Sequence, residues 1–153
     1  MNLRMFTVAT LVVALLPAAI ANAQPGAADS HGYGREAAAE IPATIDGILA
    51  AVDQRVAAID QAIADKKLAT VHGEAFAARD LLAALPEKMT GLNPAEAKAL
   101  DAAIGRVRQQ AALLDKFGDA GDVAQTRTVL ARFKIEIAGI RQQVTGKAGS
   151  RAQ

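Results

Sequence analysis

The feature that most constrains this chain is the spacing of its aliphatic residues. Ile45, Leu49, Val52, Val56, Ile59 and Ile63 advance by alternating steps of four and three. The same rhythm returns three times. It passes through Leu68, Val71, Ala75, Ala78, Leu82 and Leu85, then through Leu100, Ile104, Val107, Ala111 and Leu114. It ends with Val123, Thr126, Leu130, Phe133, Ile137, Ile140 and Val144. Such steps line up along one side of an α-helix and scatter over both faces of a strand. The residues between them are rich in Ala, Leu, Gln, Arg and Lys, which are strong helix formers.

The punctuation sets the lengths. Asn93-Pro94-Ala95-Glu96 supplies an N-cap, a proline in the first turn and the glutamate of a capping box. Asp122 with Gln125 repeats that logic before the fourth segment. Pro42 opens the first segment, Pro86 closes the second and Gly118 closes the third. Short joints make consecutive helices run antiparallel. The expectation is an all-α fold, an up-down-up-down antiparallel four-helix bundle over residues 41–144.

The flanks read differently. Arg4, an apolar run over residues 6–16 and the small-x-small site Ala21-Asn22-Ala23 mark residues 1–23 as a cleaved signal peptide. The apolar run is shorter than the ~20 residues of a membrane span, so the expected address is the periplasm, with no membrane embedding after cleavage. Residues 24–40 lack apolar periodicity and read as a flexible leader, and residues 145–153 read as a flexible tail.

Composition then removes whole classes of chemistry. The chain has no cysteine, which excludes disulfides, thiolate zinc sites, iron–sulfur clusters and covalent haem attachment. A formal net charge of +1 gives no electrostatic footprint for nucleic acid. A ferritin-like di-iron centre needs Glu-x-x-His, and the third residue after each glutamate is Ala39, Ala43, Ala77, Thr90, Ala99 or Gly139. Outside the signal segment the serines are Ser30 and Ser150, both in the flanks, and no nucleophile–base–orienter set can be assembled. The expectation is a protein that is not an enzyme.

Metal capture is the chemistry that survives. The expected topology gathers His72, Asp65, Glu74, Asp115, Asp119 and Asp122 at one end of the bundle, with His31, Tyr33 and Met89 at the other. Imidazole and carboxylate together suit a divalent Zn, Ni, Co or Cu ion. The candidate ligands are His72, Glu74, Asp119 and Asp122, with His31 from the leader. The alternative for His72 is a solvated residue of a helix start, where acidic neighbours already serve the helix dipole. Met89 reads as an apolar loop residue or a Cu(I) ligand. Arg79 reads as setting register through a carboxylate on another helix, or as a snorkelling arginine beside a solvated Asp80.

The stretch Val71-His72-Gly73-Glu74-Ala75-Phe76-Ala77-Ala78-Arg79-Asp80 carries a family likeness that continues to Pro86. Ile41-Pro42-Ala43-Thr44 before it and Leu114-Asp115-Lys116-Phe117-Gly118-Asp119 after it belong to the same likeness. Over roughly residues 31–143 the chain resembles small periplasmic four-helix proteins associated with heavy-metal efflux and resistance systems. The family pattern has a His-Gly-rich leader and a histidine cluster opening the second helix. This chain keeps His31 of the former, and His72 with Gly73 and Glu74 of the latter. The resemblance implies an accessory protein that binds or hands on a divalent heavy-metal ion, with an efflux component as partner. The competing reading is a non-catalytic helical adaptor that binds an envelope protein through its alanine-rich faces.

Overall fold

The first helix begins at a threonine suited to capping it. In the computed structural model, which describes residues 40–150, Thr44 Oγ1 accepts the Gly47 N–H at 3.1 Å and helix α1 runs Ile45–Ala64. A 3₁₀ turn, Leu68–Thr70, leads into α2, Val71–Ala83. A four-residue helix α3, Leu85–Lys88, follows, and then the long helices α4, Pro94–Asp119, and α5, Val123–Ser150. Among the described residues the regular structure is helical throughout, with four long helices and no strand. Residues 1–39, where the signal peptide and nearly all of the leader are expected, and residues 151–153 of the expected tail lie outside the described residues.

The packing is that of a helical bundle. Helix α1 lies against α2, α2 against α4 and α4 against α5, while α1 meets α5 along a thinner seam. The aliphatic ridges read from the sequence form the core. Leu49, Val52, Ile59 and Ile63 of α1 are buried with Val71, Ala75, Ala78 and Leu82 of α2. Leu100, Ile104, Val107, Ala111 and Leu114 of α4 join Leu130, Phe133, Ile137, Ile140 and Val144 of α5. Each large aliphatic side chain removed from water in this way contributes about 1.5–3 kcal/mol before entropy is counted. Ile48, Ala62, Leu81, Ala103 and Val129 widen the ridges into stripes, whereas Ile45, Val56 and Val123 are only half-buried. Thr126 is buried among them, and its hydroxyl donates to the Asp122 carbonyl at 2.7 Å, so the polar atom is satisfied within its own helix.

The helix ends show where the sequence punctuation was misplaced. Asn93 makes the full capping box: its side chain accepts from Glu96 N–H at 2.9 Å, and the Glu96 carboxylate accepts from Asn93 N–H at 2.9 Å. Gly118 does not stop α4, since it is buried inside the last turn. The stop is Gly121, whose φ of +69° closes a Schellman motif. In it Asp122 N–H donates to Phe117 O at 3.0 Å and Gly121 N–H donates to Gly118 O at 2.9 Å. Pro86 does not end α2 either. That helix stops at Ala83, and Pro86, lacking an N–H, sits in the first turn of α3 where no donor is needed. Helix α5 extends to Ser150, past the Val144 boundary read from the sequence.

Candidate metal centre

Two carboxylates reach one imidazole because two helix ends meet. Asp115 and Asp119 are four residues apart on the last turns of α4, which puts them on one face of the helix. His72 stands in the first turn of α2. One ligand atom from each of His72, Asp115 and Asp119 lies within 4.8 Å of the others. His72 and Asp115 are half-buried and Asp119 is exposed, so the group opens to solvent on one side.

One oxygen of this group is both buried and without a hydrogen bond. Asp115 Oδ1 is shut off from solvent and no hydrogen bond reaches it. A buried carboxylate oxygen in that condition is costly, and a cation bound beside it removes the cost. Donors around a four-coordinate ion with bonds of about 2.1 Å stand about 3.4 Å apart. The three ligand atoms lie within 4.8 Å of one another, and rotation of the exposed Asp119 side chain is what would set them at that spacing.

The imidazole also has an aromatic neighbour on its own helix. The Phe76 ring meets the His72 ring edge-on, with centroids 6.5 Å apart and planes at 68°. The Arg79 guanidinium lies over the Phe76 ring, 4.5 Å from its centroid, and donates to Asp80 at 2.8 Å. Arg79 therefore pairs with its neighbour on α2 and not with a carboxylate of another helix.

The other residues singled out from the sequence are placed elsewhere. Glu74 points from α2 toward α1, where it accepts from Arg55 Nη1 at 3.1 Å. Asp122 caps α5, its Oδ1 accepting the Gln125 N–H at 3.0 Å. Asp65 is held by Gln61 at 2.9 Å and Lys67 at 3.4 Å. His31 lies outside the described residues. Met89 packs against the core and lines a cleft of about 380 Å³ with Leu92, Ala99 and Leu100, surroundings that suit an apolar side chain. Asp115 was not among the ligands chosen from the sequence. The signal for it in the sequence is the Asp115-x-x-x-Asp119 spacing, which puts both carboxylates on one helical face.

Among the described residues no helix is long and apolar enough to cross a membrane. No family model matches the chain, and no curated protein or solved structure matches it, so the comparisons link it to no heavy-metal efflux system.

Proposed function

We propose that this protein captures a divalent transition-metal ion with His72, Asp115 and Asp119 and passes it on, as a periplasmic accessory of a heavy-metal efflux or resistance system. The observation that carries the metal reading is Asp115: its Oδ1 is buried and no hydrogen bond reaches it, and one of its carboxylate oxygens lies within 4.8 Å of ligand atoms of an imidazole and a second carboxylate. One nitrogen and two oxygens form a borderline donor set that suits Zn, Co, Ni or Cu(II). Three protein donors leave the remaining coordination positions to water or to an acceptor's ligand, and the exposure of Asp119 gives that acceptor a way in. The efflux setting and the periplasmic address rest on the family resemblance and the signal-like residues 1–23.

The same proposal includes an alternating up-and-down course for the four long helices. Its support is the step of the ion pairs between α1 and α5: Asp60 binds Lys134 and Asp53 binds Arg141, so seven residues back along α1 correspond to seven forward along α5.

Titration of the secreted protein with Zn²⁺, Co²⁺, Ni²⁺ and Cu²⁺ tests the metal reading. One ion should bind per chain, with affinity falling about 10–100-fold or more in His72→Ala, Asp115→Asn and Asp119→Asn. Failure of every ion to bind, or undiminished binding by all three variants, overturns the reading. N-terminal sequencing of the secreted form should begin at Gln24.

A further inference from the structure

We propose that Gly118 is a positioning residue of the metal centre, holding the entrance of α2 close enough to α4 for His72 to reach Asp115 and Asp119. This rests on the reading of those three residues as cation ligands. A glycine inside a helix is unfavourable, because it loses more backbone freedom than other residues and has no side chain to pack. Gly118 nevertheless occupies the last turn of a 26-residue helix and is buried there.

The reason is on the facing backbone. A Cβ at position 118 would stand 3.1 Å from the Leu68 carbonyl oxygen and 3.6 Å from Val71 Cβ. The Leu68 oxygen cannot swing aside like the end of a flexible side chain. It belongs to the 3₁₀ turn that feeds α2, and it accepts the Val71 N–H. His72 is the next residue. A methyl group at 118 therefore pushes on the backbone that carries the imidazole, while Asp115 and Asp119 sit on the helix doing the pushing. At Gly105 and Gly139, by contrast, a Cβ would meet nothing within 4 Å. Close approach at Gly118 thus couples the spacing of two helix ends to the separation of three ligands.

The test compares Gly118→Ala with Gly105→Ala and Gly139→Ala in the full chain. Zn²⁺ affinity is read by competition with a chromophoric chelator, at a temperature where circular dichroism shows each protein folded. Gly118→Ala should weaken Zn²⁺ binding about 10–100-fold, the scale seen when the support of a ligand is disturbed. Gly105→Ala and Gly139→Ala should leave it unchanged. The Co²⁺ absorption spectrum of Gly118→Ala should shift toward that of His72→Ala, a change that general destabilisation does not produce. If Gly118→Ala folds too weakly for direct titration, the metal-induced rise in Tm gives the same comparison. Wild-type Zn²⁺ affinity and Co²⁺ spectrum in Gly118→Ala overturn this inference and leave the metal reading standing. Absence of binding in the wild-type chain removes the metal reading itself, and the inference with it.

Discussion

Glu74 and Asp115 illustrate what single residues disclose and what they conceal. Glu74 sits two positions after His72 and looks like its companion in the sequence. In the fold its carboxylate turns to Arg55 on α1, because positions two apart on a helix face different sides. Asp115 is far from His72 in the chain, and only the meeting of α4 with the start of α2 joins them. On the proposed metal reading, Glu74→Gln should therefore leave metal affinity within about twofold of the wild type. It should lower stability by less than ~1 kcal/mol, since the ion pair it loses is partly exposed, with side-chain accessibilities of 41% for Arg55 and 24% for Glu74. Urea melts beside metal titrations separate the two effects. Thr126 makes the opposite point about buried polarity. Its hydroxyl donates to the Asp122 carbonyl, but that carbonyl also accepts the Thr126 N–H at 2.9 Å. Thr126→Val leaves no orphaned acceptor and adds an apolar methyl to a buried site, so stability should stay within about 1 kcal/mol or rise. A loss above ~2 kcal/mol would show that the hydroxyl has a further task.

At the level of elements, the aliphatic rhythm placed all four long helices, because burial of one stripe is what makes a helix persist in water. The ends were harder to read. A Schellman stop needs a left-handed residue one place beyond the C-cap, and the sequence offered Gly118 and Gly121 within a few residues of each other. The choice between them depends on which one faces a neighbouring backbone, a tertiary fact that no local pattern contains. The end of α1 shows the same motif with a less suitable residue. Lys67 N–H donates to Ala62 O at 2.8 Å and Lys66 N–H to Ile63 O at 3.3 Å, with Lys66 itself at φ +59°. An L-residue with a Cβ pays a steric cost there of about 1 kcal/mol or more that glycine avoids. Lys66→Gly should raise stability by about 1 kcal/mol, less whatever the added flexibility of the unfolded chain takes back. Gly121→Ala should lower it by about the same amount, and thermal or denaturant unfolding of the pair checks both signs. Equal losses in the two variants would mean that the left-handed geometry does not govern these joints.

Across the whole molecule the helices are not held to one another in the same way. The α1–α2, α2–α4 and α4–α5 faces are the broad ones, built on interlocked aliphatic side chains. Along the thinner α1–α5 seam lie Lys134 with Asp60 at 2.6 Å and Arg141 with Asp53, all four side chains well exposed. Water-facing charges attract weakly and are screened by salt, whereas buried hydrocarbon is not. Global stability should therefore change by less than ~1 kcal/mol between low salt and 0.5 M NaCl, a shift readable in urea midpoints. Amide hydrogen exchange should nonetheless respond unevenly, quickening in α1 and α5 near these charges while α2 and α4 stay protected. Uniform protection at every ionic strength would show that the seam needs no help from charge. If the uneven response is found, the protein has a preferred line of parting, and the dissolved electrolyte around it decides how often that line gives way.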